Sequence, residues 1–182
     1  MTTIPNSENY LGIFAFRWGI NHLRIFSSIG SKYILMHLEP QNTAALSPIM
    51  VVDDNVSTLT LLRRILERSG FQNICCFTDG EEALEALKIF EPYMVILDLD
   101  MPYMTGYQFL TKVQEANCLT THCPILVYTA TDSAEAKLKA LELGASDFLT
   151  KPANPVEIQN RVGKFLRMRQ LQLDLEAQRA RA

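Results

Sequence analysis

The chain predicts an α/β fold: a doubly wound, five-stranded parallel sheet with an extended C-terminal helix and an N-terminal extension. Three observations predict it. Short apolar runs such as Ile49–Val52 and Met94–Leu97 lack polar alternation, as strands buried on both faces do. These runs alternate with segments whose apolar residues recur at helical spacing, the pattern of strand–helix–strand units. Polar residues then cluster just past the runs, at Asp53-Asp54, Asp98, Thr129 and Lys151. That is where ligands bind in open parallel sheets, beyond the strands' carboxyl ends.

In order, Ile49–Val52 is the first strand and ends in Asp53-Asp54. Asn55–Ser69 follows as a helix with Leu59, Leu62, Ile65 and Leu66 on one face, and Gly70 supplies its stop. Asn73–Phe77 is the second strand. Asp79 and Glu82 have capping-box-like spacing for the second helix, with Ala83, Leu84, Leu87 and Phe90 inward. Met94–Leu97 is the third strand, running straight into Asp98. Gly106–Glu115 is a helix burying Phe109, Leu110 and Val113. Pro124–Tyr128 forms the fourth strand, closed by Thr129-Ala130, and Asp132 with Glu135 can cap a helix that Gly144 ends. Phe148–Thr150 is the fifth strand, and a last helix begins near Pro155, a favoured first-turn residue. Right-handed crossovers leave few arrangements of five such units. The flavodoxin-like order 2-1-3-4-5 is the natural one.

Charge is unevenly distributed. Residues 48–154 carry eight basic against fifteen acidic groups, residues 1–47 three against two, and residues 155–182 six against three. An acidic central block disfavours direct nucleic-acid binding and suits a divalent cation. Cys75 and Cys76 are adjacent inside an apolar run, poor spacing for a disulfide framework, so reduced thiols and a cytoplasmic location are expected. Cys118, His122 and Cys123 lack the fourth ligand of a structural zinc site.

Residues 1–47 form an extension outside the domain. No Lys or Arg precedes Arg17, unlike a signal peptide, and Arg17, Arg24 and Lys32 interrupt the apolar stretch from Leu11 to Leu38. Ile13, Phe16, Ile20, Leu23 and Phe26 recur at helical spacing. Three readings fit: a leader from an upstream start codon, a helix packing on the domain or on a second copy, and an interfacial membrane helix. Gln41–Pro48 reads as a linker.

The predicted sheet brings Asp53, Asp54, Asp98, Thr129 and Lys151 to one rim. Three carboxylates together repel unless they share a cation. Mg²⁺ (or Mn²⁺) suits them, being bound by a few carboxylates with waters and phosphate oxygens. Lys151 can reach a phosphoryl oxygen, and the Thr129 hydroxyl and Ala130 N–H are further donors. A carboxylate nucleophile, a metal and donors for equatorial oxygens are what phosphoryl transfer needs.

Residues 48–168 resemble the receiver domain of two-component response regulators, of the chemotaxis-regulator type. The matching motifs are Val51-Val52-Asp53-Asp54, Ile96-Leu97-Asp98-Leu99-Asp100-Met101-Pro102 with Gly106, Tyr128-Thr129-Ala130, Gly144-Ala145 and Lys151-Pro152. The resemblance implies that a sensor histidine kinase or phosphotransfer protein phosphorylates Asp98. It implies that Asp54, Asp98 and the Asp100 carbonyl ligate Mg²⁺, with Asp53 acting through water. It implies that Thr129 and Lys151 bind the phosphoryl group, and that the Lys151–Pro152 peptide is cis. It also implies a switch coupling Thr129 to an aromatic residue on the fifth strand. Phe148 holds that position without a hydroxyl, so no hydrogen bond favours either pose. The output face would be helix 4, strand 5 and helix 5. The Asp100 side chain adds charge near the path of an attacking water and is expected to alter phosphoryl lifetime.

Beyond residue 168 the last helix is expected to continue through 169–182 as a tail. Phe165, Met168, Leu171 and Leu175 form an apolar stripe, with Arg167, Arg169 and Arg179 on a solvated face. The tail offers a homodimer contact, as does the output face, or it leads into a downstream module. Three other functions are weighed against the signalling switch. Asp98-Leu99-Asp100 resembles the Asp-x-Asp of haloacid-dehalogenase phosphohydrolases, but the acidic pair Asp53-Asp54 precedes it and Pro102 departs from that motif. A flavin site would place a phosphate against Asp53-Asp54. The third is an interaction module that is never phosphorylated.

Overall fold

The computed structural model describes residues 48–88, 91–117, 119 and 123–181. Expectations for residues 1–47, for Phe90 and for Cys118 and His122 lie outside these residues. The strands are β1 (Ile49–Val52), β2 (Ile74–Phe77), β3 (Met94–Leu97), β4 (Ile125–Thr129) and β5 (Asp147–Thr150). The helices are α1 (Val56–Arg68), α2 (Gly80–Leu87), α3 (Gly106–Ala116), α4 (Ala134–Glu142) and α5 (Pro155–Arg181). All strands are parallel, in the order β2-β1-β3-β4-β5. This is the doubly wound sheet expected from the apolar runs.

Strand alternation sorts the core into two faces. Ile49, Val51, Met94, Ile96, Leu126, Tyr128 and Leu149 pack with Leu59, Leu62, Ile65 and Leu66 of α1 and Ile158, Val162, Phe165 and Leu166 of α5. Met50, Val52, Val95, Leu97 and Val127 are also buried, on the opposite parity. The inward residues of α2 are Gly80, Ala83, Ala86 and Leu87, whereas Leu84 is half-buried. Ala86 is inward as well, three residues on from Ala83.

Local chemistry sets the helix ends. Asn55 caps α1 by accepting from the Ser57 and Thr58 N–H groups, and Asp79 caps α2 through Glu81 and Glu82. Thr105 and Gln108 form a capping box on α3. The expected cap of α4 is corrected. Ser133 accepts from the Ala136 N–H, while Asp132 pairs with Lys137 and accepts from the Thr150 hydroxyl.

Helix α5 runs unbroken to Arg181. Its apolar stripe divides: Phe165 joins the core, whereas Met168, Leu171 and Leu175 are exposed. Arg169 is not on a solvated face. It is buried and donates to Glu91 at 2.8 Å, fixing the helix beside the segment that precedes β3. Cys75, Cys76 and Cys123 are free thiols. Burial pushes the Cys75 thiol up to about 11 and the Cys123 thiol up to about 12, so both stay protonated and unreactive at neutral pH. Among the described residues, no helix is long and apolar enough to cross a membrane.

Candidate phosphoacceptor site

Sheet register explains why distant residues meet. Val52 lies beside Leu97, so the next residues, Asp53 and Asp98, emerge side by side. The Asp98 N–H donates to the Val52 carbonyl at 2.9 Å, extending the ladder by one step. Thr129 pairs with Thr150, which places Lys151 immediately past the end of β4. The Lys151 N–H donates to the Thr129 carbonyl at 2.8 Å. The Lys151–Pro152 bond is cis.

Lys151 is the centre of the constellation. Its ammonium donates to Asp53 Oδ2 at 2.6 Å and to Asp98 Oδ2 at 2.7 Å, and it lies 5.5 Å from the Tyr128 ring centroid. Asp53 is 1% exposed and Asp98 5% exposed. Carboxylates removed so far from water need this cation. Burial raises the pKa of Asp53, which hydrogen bonds from Lys151 and from the Asn55 N–H offset only in part. Burial also works against the Lys151 ammonium, but its bonds to the two carboxylates outweigh that and raise its pKa.

Carboxylate oxygens of Asp53, Asp54 and Asp98 lie within 4.8 Å of one another. They are oxygen donors only, and Asp54 is exposed, leaving a side on which an ion could keep its waters. That donor set fits a hard divalent cation. The carboxylate of Asp100 is not in this group. Its Oδ2 accepts from the Thr129 hydroxyl at 2.9 Å and from the Thr131 hydroxyl at 2.7 Å. Any part Asp100 takes in holding an ion therefore falls to its backbone carbonyl. Its N–H donates to Asp98 Oδ1 at 3.3 Å.

Thr129 is fully buried at the end of β4 and Ala130 follows at the exposed rim. Phe148 is half-buried. The Lys137 ammonium lies 5.3 Å from its ring centroid while also pairing with Asp132. Phe148 thus has a cation–π partner that sequence reasoning missed. Thr131, Asp132 and Lys137 show no distinctive spacing; the fold brings Thr131 to Asp100, Asp132 to Thr150 and Lys137 to Phe148. Gly106 is the remaining component. Its N–H donates to the Leu99 carbonyl at 3.0 Å, and a Cβ there would overlap the Asp98 carbonyl oxygen.

Residues 49–163 match the response regulator receiver domain family. The chain belongs to that family. This receiver is 40% identical over 119 residues to the alkaline phosphatase synthesis transcriptional regulatory protein PhoP of Bacillus subtilis, covering 65% of this chain and 48% of that protein. It is 34% identical over 129 residues to the transcriptional regulatory protein PrrA of Mycobacterium tuberculosis, covering 70% of this chain and 54% of that protein. The chain thus spans about half the length of these relatives. Among solved structures, the chemotaxis protein CheY4 of Vibrio cholerae superposes with a TM-score of 0.60 at 28% identity, over 65% of this chain and 98% of that one. The receiver is a two-component signalling domain, and the family match favours that reading over a phosphohydrolase or a flavoprotein.

Proposed function

We propose that this receiver takes a phosphoryl group onto Asp98 from a histidine kinase or phosphotransfer protein and, by doing so, shifts the α4-β5-α5 face. The observation that carries the reading is the Lys151 ammonium, bonded at once to Asp53 and to Asp98. An Asp98 carboxylate oxygen attacks phosphorus, the bond from phosphorus to the donor's nitrogen breaks, and an acyl phosphate forms. Lys151 already lies on the acceptor and can follow the incoming negative charge to a phosphoryl oxygen. The Thr129 hydroxyl and Ala130 N–H, at the end of the neighbouring strand β4, would donate to equatorial oxygens. Asp54, Asp98 and the Asp100 carbonyl would hold Mg²⁺ or Mn²⁺, with Asp53 acting through water. The ion would neutralise charge on the transferring group.

Residues 48–168 are the receiver proper and 169–182 a helical tail. Self-phosphorylation and self-dephosphorylation are the only reactions assigned to it. The named relatives are transcriptional regulators, which supports an output on transcription through a partner or a further module. The acidic domain itself is not assigned a nucleic-acid surface. Exposed Leu138 and Leu141 on α4, Val156 and Met168 on α5 within the receiver, and Leu171 and Leu175 on the tail support a homodimer through either surface.

The test is incubation of the full chain with Mg²⁺ and acetyl phosphate, followed by intact mass. One alkali-labile phosphoryl group is expected on the wild type and none on Asp98→Ala. Equal labelling of the two would overturn the assignment. Asp100→Asn is expected to change the rate at which the label is lost, and an unchanged rate would remove that side chain from hydrolysis.

A further inference from the structure

The acceptor chemistry makes no use of the Asp100 carboxylate, yet that group is engaged. One of its oxygens accepts from both the Thr129 and the Thr131 hydroxyls. A hydroxyl has a single proton to donate. While the Thr129 proton lies on Asp100, it is not available to a phosphoryl oxygen on Asp98. Thr129 is fully buried, so its hydroxyl has no water to turn to, and it must exchange one protein-held acceptor for another.

We propose that Asp100 is a positioning residue whose carboxylate, anchored by Thr131, holds the Thr129 hydroxyl in a hydrogen bond that competes with the phosphoryl group. This rests on the reading of Asp98 as acceptor and Thr129 as a phosphoryl ligand. Only receivers in which the Asp100 bond has opened offer the full set of donors. The apparent affinity for a phosphoryl group is therefore reduced by the fraction that is open. Asp100 itself is exposed and keeps Thr131, so opening the bond strands no buried charge. That makes the latch reversible. The Asp100 N–H on Asp98 Oδ1 ties latch and acceptor together through the backbone.

A carboxylate near the site would also repel an incoming anion, and the test must separate the two effects. Beryllofluoride, in the presence of Mg²⁺, serves as the phosphoryl probe. Its binding to the full chain is followed by ¹⁹F NMR for Asp100→Ala in three backgrounds: wild type, Thr129→Val and Thr129→Ser. The latch predicts that Asp100→Ala tightens binding about tenfold where Thr129 is present, the scale of one charge-assisted hydrogen bond. The gain should vanish with Val, which has no hydroxyl to release, and return with Ser. Equal gains in the Thr and Val backgrounds would show charge repulsion alone and overturn the latch. A wild type that binds no beryllofluoride would instead overturn the acceptor reading beneath it.

Discussion

Lys151→Met is expected to lower the stability of the metal-free fold by about 3 kcal/mol at neutral pH, the cost of breaking a buried ion pair from one side. Its ammonium is bonded to two carboxylates that are 1% and 5% exposed. Without it, two like charges remain in a low-dielectric site, and the folded state favours the protonated form of buried Asp53. The sign of the pH dependence follows. Asp53 already has a raised pKa in the folded protein because it is buried. Loss of Lys151 raises it further above the unfolded value. A carboxyl of that kind adds stability below its unfolded pKa, and the contribution is lost as pH rises through the folded pKa. The gap between variant and wild type should therefore be small in mild acid and widest at neutral pH. Urea denaturation in the presence of a chelator measures it. Saturating Mg²⁺ should restore part of the loss, since a divalent cation can share the same carboxylates. A gap of the same size at both pH values would mean that Lys151 does not neutralise this site.

Gly106→Ala is expected to cost about 3 kcal/mol, at the upper end for overpacking. The new Cβ would overlap the Asp98 carbonyl oxygen and lie 2.7 Å from Leu99 Cα. Both are backbone atoms of the segment that presents Asp98, so relief requires moving that segment, with no flexible side chain able to give way. Gly163 is the internal control. Among the described residues, a Cβ there meets only the Arg167 guanidinium, at 3.8 Å, inside a helix where Ala exceeds Gly by about 0.5–1 kcal/mol. Gly163→Ala should therefore stabilise under the same urea titration. If Gly106→Ala shifted the midpoint no more than an exposed substitution does, the close approach of α3 to the β3 terminus would not be a constraint.

These two sites mark how far sequence reasoning reached. Ile49–Val52 and Met94–Leu97 are strands as read, because a strand buried on both faces leaves an uninterrupted apolar run. The α1 face of Leu59, Leu62, Ile65 and Leu66 is likewise as read, since burial on one side imposes a period. Asp53, Asp98, Thr129 and Lys151 were legible because parallel strands all deliver their carboxyl ends to one rim. The cap of α4 was misassigned because Asp132, Ser133 and Glu135 offer competing local partners, and Asp132 is drawn to Lys137 and Thr150 instead. Arg169 looked like one solvated arginine among three. Its burial against Glu91 depends on where α5 crosses the sheet, which no helical period records.

The amino-acid order alone was enough to specify the strands, their common rim and the residues delivered there, because each follows from periodicity and from the handedness of strand–helix–strand crossovers. Which partner each polar side chain takes was settled by the folded chain. Asp100 bonds to Thr129 and Thr131 across 29 and 31 residues, and Lys151 to Asp53 across 98. Hydrogen bonds are directional and reach only about 3 Å, so such choices arise only when distant segments are packed to ångström precision.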